Sequence, residues 1–218
     1  MTDVHQFEEI PPYAMYALKS GNPVCLHCLM HLEPSSEHIR CHTSKEVLIL
    51  AEVDRRLPIL STLAIEFRCD QALGACSKKR PDMVWDFGVL VLWLEINEHQ
   101  HATYDSRCEV DRRYQIWRDL DCRPTLLVEF NPDEYTDTDG YQHRSMFRTK
   151  RTGSGEKRLS PVQGEFAQRI ERLVDVLTKA LEAVRIGRLW DGVHQEFMFY
   201  TPSVRSQFEM TSWVGCRV

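Results

Sequence analysis

Apolar and polar residues recur with a clear period over much of this sequence, and the period changes from one segment to the next. From Ser44 to Leu57 the apolar positions have helical spacing. Ser44 stands where an N-cap is expected and Pro58 where a helix ends, so we predict a helix between them. Residues 62–67 are predicted to form a strand.

The clearest local pattern lies between Met83 and Ile96. Two apolar segments flank Asp86-Phe87-Gly88, and the second of them, Val89 to Leu94, is wholly apolar. Gly88 can adopt the positive φ that a tight turn requires. The pattern therefore predicts a β-hairpin.

Downstream of this hairpin the sequence predicts a helix and then a strand. Residues 105–120 have helical composition, with Asp105 or Thr103 near the start of the helix. Residues 123–130 form a short apolar segment that is typical of a strand. The sequence Asn131-Pro132-Asp133 is a turn signal and ends it.

The last part of the sequence combines a polar stretch with a strongly amphipathic one. Residues 134–161 lack an apolar period, so we predict a long, mobile loop. From Gln163 to Val184 six apolar side chains recur at helical spacing, and Gly187 follows as a C-cap. Residues 197–200 are predicted to add an edge strand. The single apolar stripe of the helix is explained by packing and leaves the oligomeric state open, a homodimer included.

The order of the predicted elements is helix, strand, hairpin, helix, strand, loop, helix. This order predicts an α/β (α+β) fold, in which a mixed central β-sheet includes this hairpin, whose open end is acidic, and is flanked by helices. Residues 1–24 contain several proline and glycine residues and are predicted to be an irregular lead-in. We therefore divide the chain into an N-terminal segment, residues 1–43, and a core, residues 44–218, with a loop at about 136–161.

Charge and hydropathy narrow the classes of function. The chain has 218 residues, a formal net charge of −5 and a pI near 6.0, so any binding to nucleic acid must use a local basic patch. No apolar run approaches the roughly 18 residues of a membrane span, and we expect no membrane association. The first residues include neither a basic nor an apolar segment. We therefore expect no secretory signal and an intracellular, reducing compartment, the cytoplasm or the nucleus.

Carboxylates at the open end of the hairpin carry the candidate chemistry. A turn centred on either side of Gly88 places Asp82 opposite Glu95 or displaced by one pair. Two carboxylates this close repel each other unless a cation lies between them, which favours a hard divalent ion. Strand alternation directs Asn97 to the same face as Glu95, while Ile96 offers only its backbone carbonyl.

These residues stand in an order that resembles a known family. Arg-Pro-Asp at 80–82 precedes the hairpin, Glu-x-Asn-Glu-x-x-His at 95–101 follows it, a helix carries Glu-x-x-Arg at 109–112, and Phe-Asn-Pro-Asp at 130–133 ends the next strand. The pattern is similar to the PD-(D/E)XK, or restriction-endonuclease-like, nuclease superfamily. Within it, the pattern resembles the very-short-patch-repair-like branch, and it also resembles nuclease-like proteins of large DNA viruses. The resemblance covers residues 64–135, about a third of the chain.

The resemblance implies a metal-dependent nuclease that cleaves DNA phosphodiester bonds. It implies that Asp82 and Glu95 bind Mg²⁺ or Mn²⁺, with the Ile96 carbonyl as a third ligand. A metal ion in such a site activates a water molecule and stabilises charge on the scissile phosphate. Branched or damaged DNA is among the substrates that the resemblance implies.

Further site residues are implied by the same resemblance. His101 is expected to act as a general acid or base or to orient a phosphate or water, and Glu109 and Arg112, one helical turn apart, are expected to face the same site. Asn97 departs from the family pattern, which has Lys or Asp at this position. Because Asn is neither a base nor a strong ligand, an alternative is a catalytically weakened nuclease-like domain for nucleic-acid binding or assembly. A third alternative is a metalloenzyme that uses His99 and His101 on another class of substrate.

Eight cysteines are many for a chain of this length, and three of them lie close together near the N-terminus. Cys25-x₂-Cys28 and His38-x₂-Cys41 form two close pairs separated by nine residues, which is a spacing typical of tetrahedral zinc sites. The alternative is two cysteines in a small core beside a coincidental histidine. We predict a structural zinc ion that braces the N-terminal segment. The fourth ligand stays open between His38 and the nearby His27, His31 and His42.

A local excess of positive charge lies within the predicted loop. Six cations stand between residues 144 and 158 against a single acid, Glu156. They form a candidate phosphate-binding arm for DNA, with Phe147 and Tyr141 available to stack on bases. The alternative is a solvated, disordered loop. The six cations are Arg144, Arg148, Lys150, Arg151, Lys157 and Arg158.

Overall fold

The structure is a computed structural model of the chain, and the residues that it describes are 15–17, 23–25, 44–69, 73, 77, 79–151, 157–187 and 191–209. These residues fall into two compact units. One unit contains two short N-terminal strands together with residues 149–151 and 157–160. The other contains the described residues between 45 and 148 together with residues 161–187 and 191–209, and it includes the hairpin and the helices around it.

The described part of the chain contains five α-helices, one short 3₁₀ helix (Glu98–His101) and eleven strands. The helices are α1 (Lys45–Arg56), α2 (Ile59–Leu63), α3 (Ser106–Asp119), α4 (Gln163–Arg185) and α5 (Pro202–Phe208). The strands are β1 (Met15–Ala17), β2 (Pro23–Cys25), β3 (Glu66–Cys69), β4 (Met83–Asp86), β5 (Val91–Ile96), β6 (Thr125–Phe130), β7 (Tyr135–Thr136), β8 (Gln142–His143), β9 (Phe147–Arg151), β10 (Lys157–Pro161) and β11 (Val193–Met198).

Five strands form a mixed central sheet in the order β11-β6-β5-β4-β3. Strands β5, β6 and β11 are parallel, whereas β4 is antiparallel to β5 and β3 is antiparallel to β4. Every residue of β5 and β6 is buried, which explains why their sequences are almost continuously apolar. The predicted mixed sheet flanked by helices is confirmed.

Helix α3 packs on one face of this sheet. Its residues Ile116 and Trp117 belong to one buried cluster with Val84, Trp93 and Leu127, which come from three neighbouring strands. Helices α1 and α4 contact each other, and both bury apolar side chains. Among the described residues, no helix combines the length and the apolar content of a membrane span.

Most of the predicted helices and strands are confirmed, with small shifts at their ends. The helices predicted at 44–57, 105–120 and 163–184 correspond to α1, α3 and α4. Asp105 caps α3, because its carboxylate accepts two backbone N–H groups of the first turn. Gly187 follows α4 with a φ of +67°. The hairpin and the strand that follows α3 are present as β4–β5 and β6. The edge strand predicted over residues 197–200 is present as β11 but is displaced: it begins at Val193 and ends at Met198, so Phe199 and Tyr200 lie outside it.

The strand predicted over residues 62–67 is wrong in its first part. Pro58 precedes a second helix, α2, in addition to following α1, because its fixed φ suits a helix start and it lacks an N–H that would need a partner there. Within this helix the Thr62 hydroxyl donates to the Pro58 carbonyl at 3.0 Å. The strand itself begins at Glu66.

The mobile loop predicted over residues 134–161 is also wrong where the structure describes it. The segment contains two two-stranded sheets, β7–β8 and β9–β10. The sequence shows no apolar period because few side chains of these strands are buried: none in β7 or β8, and only Phe147 in β9. The Asp137 carboxylate accepts the N–H groups of Asp139 and Tyr141 and so shapes the turn between β7 and β8. Residues 152–156 lie outside the described residues.

Two further elements were not expected. Within residues 1–24, which we predicted to be irregular, β1 and β2 pair in antiparallel fashion, with Met15 opposite Cys25. Helix α5 begins at Pro202, and a proline at the first helical position is a start signal that the sequence contains after Thr201. Both elements are short, so their local periodicity is weak.

An ion pair holds the closed end of the β4–β5 hairpin. Two nitrogens of Arg123 donate to the two carboxylate oxygens of Asp86, each at 2.7 Å, and Arg123 also donates to the Gly88 carbonyl at 3.3 Å. Gly88 has a φ of +79°, and a Cβ there would lie 2.9 Å from Ile65 Cδ1, so the turn requires glycine. Burial acts to raise the pKa of Asp86, but the hydrogen bonds from Arg123 and from the Gly88 N–H outweigh it, and the pKa is lowered overall.

We predict that Arg123→Gln lowers the free energy of unfolding by about 1–3 kcal/mol at neutral pH. Because the pKa of Asp86 is lower in the folded than in the unfolded state, this stabilisation is present above the unfolded pKa and is lost as the pH falls through the folded pKa. Denaturant unfolding of wild type and variant at neutral and strongly acidic pH measures the effect. Arg118→Gln, an exposed change on α3, is the control. A destabilisation that stays the same at acidic pH would contradict the prediction.

Candidate active site

Three acidic side chains form a row across the central sheet. Met83 of β4 pairs with Leu94 of β5, and this register places Asp82 opposite Glu95. Glu95 in turn pairs with Glu129 of β6. The row lies at the carboxyl ends of the parallel strands β5 and β6, which is the edge where ligands bind in open α/β sheets. The opposed register expected for Asp82 and Glu95 is therefore present, and their metal-binding role stays a prediction.

Glu95 is buried beneath α3, with 2% of its surface exposed. One carboxylate oxygen accepts a hydrogen bond from Trp93 Nε1 at 2.6 Å, and the other accepts one from Arg112 Nη1 at 3.1 Å. Burial raises the pKa of Glu95 to about 8, and the negative charge of Asp82 adds to the rise. A cation beside this pair of carboxylates would relieve their repulsion.

Asp82 and Arg112 tie the two sides of the open end of the hairpin together. Asp82 Oδ2 accepts the backbone N–H of Ile96 at 2.6 Å. Arg112 Nη2 donates to the Arg80 carbonyl at 2.8 Å, while Nη1 donates to Glu95. Burial acts to lower the pKa of Arg112, but the charge of Glu95 and the hydrogen bond to it raise the pKa overall. Arg112 therefore stays charged and orients Glu95.

Glu129, which no motif singled out, is the third member of the row and is fully buried. It accepts hydrogen bonds from Arg113 Nη2 at 2.9 Å, from Gln195 Nε2 at 2.8 Å and from the Asn97 amide. Its signal in the sequence is a carboxylate within an apolar strand, the same signal that marked Glu95. The signal could therefore have identified Glu129 as well.

Asn97 is buried and directs its side chain inward. Its amide nitrogen donates to the Glu129 carboxylate and, at 2.6 Å, to the Tyr200 hydroxyl. Burial raises the pKa of Tyr200 well above its usual value, and the charge of Glu129 raises it further, so this hydroxyl stays protonated. With both amide hydrogens engaged, Asn97 positions Glu129 and has no proton-transfer chemistry of its own.

His101 and Glu109 form a hydrogen-bonded pair at the same site. His101 Nδ1 lies 3.2 Å from Glu109 Oε2, and the imidazole centre lies 4.4 Å from the centre of the Tyr104 ring. The hydrogen bond with His101 is the main cause of the lowered pKa of Glu109. Glu109 Oε2 also lies 3.9 Å from Arg113 Nη2, which links the pair to the buried row. With Nδ1 engaged by a carboxylate, the Nε2 atom is the nitrogen that can exchange a proton with a bound group.

The turn that carries His101 has a strained backbone. His99, Gln100 and His101 have φ values of +53°, +58° and +52°, and left-handed backbone costs a residue other than glycine about 1–2 kcal/mol. The Gln100 side chain maintains this conformation: its Oε1 accepts the Thr201 N–H at 2.7 Å and its Nε2 donates to the Glu134 carbonyl at 3.1 Å. Strain that neighbouring groups maintain is concentrated at functional sites, which supports a role for this turn.

A second acidic cluster contains a cation that the protein itself supplies. Glu98, His99 and Asp133 bring ligating atoms within 4.8 Å of one another, and among the described residues this is the one such group of three or more. Lys45 Nζ lies 2.7 Å from the Asp133 carboxylate and 3.1 Å from that of Glu98. The lysine ammonium therefore takes the position that an ion would occupy. We interpret the cluster as a salt-bridge network that anchors α1.

Five of the six cations predicted to bind phosphate lie on paired strands and not on a mobile loop. We call this set the basic ribbon; its members are Arg144, Arg148, Lys150, Arg151, Lys157 and Arg158. Arg144 precedes β9, three members lie on β9 and two lie on β10. The four members before residue 152 are exposed. They are therefore accessible to a ligand.

The predicted zinc ligands are described at one position only. Cys25 is the last residue of β2. Cys28, His38 and Cys41 lie outside the described residues. The zinc site therefore stays a prediction from ligand spacing.

Comparisons with known proteins identify no relative of this chain. No family model, no curated protein and no solved structure matches it. Membership of the nuclease superfamily therefore stays a prediction that rests on the order of the motifs.

We predict that Glu129→Ala lowers the free energy of unfolding by about 3–5 kcal/mol, because it leaves Arg113 buried without its nearest carboxylate partner. Replacing both charges, with Glu129→Leu and Arg113→Met together, is expected to recover much of the loss. Equilibrium unfolding in denaturant measures each variant, with the exposed Glu134→Ala as the control. A loss below about 1 kcal/mol for Glu129→Ala would refute a structural role for the pair.

Proposed function

We propose that this protein is a metal-dependent nuclease that cleaves DNA phosphodiester bonds. The observation that carries the proposal is the opposed pair Asp82 and Glu95 at the carboxyl end of β5. The negative charges of Asp82 and Glu95 repel each other, and a divalent cation between them would relieve that repulsion. The motif order that resembles PD-(D/E)XK nucleases supports the same function.

The donor atoms suit Mg²⁺ or Mn²⁺. Asp82 and Glu95 would hold the ion through carboxylate oxygens, with the Ile96 carbonyl as the third donor that the resemblance implies. All three are hard oxygen ligands, which these ions prefer. When bound, the ion supplies an activated water and stabilises negative charge on the scissile phosphate.

The protein's own side chains orient the site and move the proton. Arg112 holds Glu95 from α3 and remains charged, so the carboxylate keeps one orientation. Glu109 fixes the imidazole of His101 through Nδ1. The Nε2 atom of His101 would then give a proton to the leaving oxygen or take one from the attacking water. Such general acid–base catalysis contributes about 10²–10⁴-fold to a rate.

The basic ribbon supports DNA as the substrate class. Its exposed cations can neutralise backbone phosphates, which gives affinity without sequence preference. Tyr141 is exposed just before the ribbon and can stack on an unpaired base. These features favour a DNA with single-stranded, branched or damaged character over a free nucleotide.

A second candidate is a nuclease-like domain that binds nucleic acid without cleaving it. Asn97 favours this candidate, because its amide is committed to Glu129 and Tyr200 and cannot replace a catalytic lysine. The third alternative, a metalloenzyme based on His99 and His101, has less support. These two histidines face different carboxylates, Asp133 for His99 and Glu109 for His101.

We predict that the protein cleaves DNA in the presence of Mg²⁺ or Mn²⁺ and that Asp82→Asn and Glu95→Gln each abolish cleavage. Both changes keep the side-chain shape and remove the negative charge that a cation requires. Plain, nicked, mismatched and branched duplexes are incubated with each metal, and the products are separated on denaturing gels. His101→Ala is expected to slow cleavage by about 10²–10⁴-fold. Asp111→Asn, an exposed acid on the same helix as Arg112, is the control.

The same assay separates the candidate functions. Cleavage that disappears in both carboxylate variants supports the nuclease. Binding of DNA without cleavage under either metal supports the nucleic-acid-binding domain. A protein that neither binds nor cleaves any of these DNAs would exclude both.

We also propose that Cys25, Cys28, His38 and Cys41 bind a structural zinc ion, in the reducing compartment predicted for this protein. The proposal rests on ligand spacing. Cys25→Ser and Cys41→Ser are expected to purify with less than half of the wild-type zinc, because each removes one thiolate from a four-ligand site. Metal analysis by mass spectrometry measures the content, with Cys108→Ser on α3 as the control. Unchanged zinc in both variants, or no zinc in the wild type, would refute the site.

A further inference from the structure

One buried carboxylate, that of Asp133, joins three separate parts of the chain just beyond the end of β6. Only 3% of Asp133 is exposed. Its carboxylate accepts hydrogen bonds from Lys45 Nζ on α1 at 2.7 Å, from the backbone N–H of His99 at 3.0 Å and from the Ser145 hydroxyl at 3.1 Å. A buried polar group with this many partners makes the elements that supply them rigid relative to one another.

Asp133 stays ionised in this position. Burial acts to raise its pKa, but the hydrogen bonds from Lys45 and from the His99 N–H outweigh the effect of burial, and the pKa is lowered overall. Hydrogen bonds to a charged acceptor are roughly twice as strong as those between neutral groups. The carboxylate therefore holds the His99 N–H more firmly than a backbone carbonyl would hold it.

The bond from His99 reaches the left-handed turn that carries His101. All three residues from His99 to His101 have positive φ, which residues other than glycine disfavour. The Gln100 side chain holds the middle of this turn, and Asp133 holds its first residue through the backbone. The placement of the His101 imidazole therefore depends on Asp133, although the two side chains belong to different segments.

The bond from Ser145 reaches the start of the basic ribbon. Ser145 directly follows Arg144, the first member of the ribbon, and its hydroxyl also accepts the N–H of Phe147, the first residue of β9. The buried Arg169 donates to the Arg144 carbonyl, so the backbone of this segment is held on two sides. The Arg144 side chain is exposed. The segment thus offers a cation to solvent from a fixed backbone.

On the premise of the nuclease function proposed above, we propose that Asp133 is a positioning residue for DNA cleavage. It fixes the turn that carries His101 and the segment that carries Arg144 to one carboxylate. A backbone phosphate bound by Arg144 and the imidazole of His101 then lie in a set arrangement. Such positioning matters because a small misplacement of a reacting group can cost about 10²-fold in rate.

A role confined to anchoring α1 has a different consequence. The bond from Lys45 leads to α1 and not to the turn. If that bond were the whole role of Asp133, glycine at position 99 would not compensate for loss of the carboxylate. His99 suits this test, because its side chain is 70% exposed and its replacement disturbs no buried packing.

We expect Asp133→Ala to lower kcat for DNA cleavage by about 10–100-fold, because the turn loses the charged acceptor of its first N–H. Adding His99→Gly to this variant is expected to recover at least about fivefold, because glycine adopts positive φ without the cost that other residues bear. No recovery would support the anchoring role and overturn the proposal. Circular dichroism establishes that each variant is folded at the assay temperature. Glu134→Ala, which removes an exposed carboxylate next to Asp133 in the sequence, is the control.

Ser145→Ala separates the two contacts of the carboxylate. It removes the bond at the basic ribbon and leaves the bond from His99 in place. We expect KM for DNA to rise by about three- to tenfold while kcat stays within about twofold of the wild type, because a phosphate contact binds substrate and transition state equally. A fall in kcat as large as that of Asp133→Ala would contradict this division of roles.

A spectroscopic readout distinguishes failure of this proposal from failure of the nuclease proposal. Nitrogen-15 NMR of the imidazole shows which nitrogen of His101 bears the proton, and the contact of Nδ1 with Glu109 favours the Nδ1-protonated ring. We expect Asp133→Ala to lose this preference and the variant with His99→Gly added to regain it, with no DNA present. If the wild type cleaves no DNA, the nuclease proposal fails and the spectra alone decide the role of Asp133. Spectra that stay unchanged in Asp133→Ala would overturn that role.

Discussion

Charge burial beneath helix α3 is the constraint on which the rest of this structure depends. Glu95 and Glu129 are both buried, and a buried carboxylate without a partner costs several kcal/mol. Two adjacent arginines on α3 provide the partners: Arg112 donates hydrogen bonds to Glu95, and Arg113 donates to Glu129. The helix and the sheet therefore have one favourable alignment, and the apolar residues of α3 pack against the strands in that alignment.

The two ends of the β4–β5 hairpin differ in the charges that they bring together. At the closed end Asp86 has a matched partner in Arg123, and the glycine turn sets the register of both strands. That register brings Asp82 opposite Glu95 at the open end, where their negative charges repel each other. The closed end thus supplies stability, while the open end offers two opposed carboxylates whose repulsion a bound cation would relieve.

Asn97 bears on which of the two candidate functions, cleavage or binding of nucleic acid, this site serves. Its amide holds Glu129 and Tyr200 in the buried row, so it belongs to the support of the site and not to its chemistry. In the nuclease that we propose, proton transfer would fall to His101, which Glu109 contacts from α3 and which lies in a left-handed turn. Without that step the site would serve the second candidate function, binding of nucleic acid.

The sequence by itself determined the elements whose apolar faces follow from local spacing: α1, α3, α4 and the β4–β5 hairpin. It also brought Asp82 and Glu95 together, because both belong to one hairpin and the turn sets their register. It did not reveal the strands within residues 134–161, because strands that bury few side chains need no apolar period. Only the tertiary structure decided which residues surround the carboxylate pair. Glu129, Arg113 and Tyr200 come from three separate elements, and their proximity depends on strand order and on the packing of α3, which local sequence patterns do not encode.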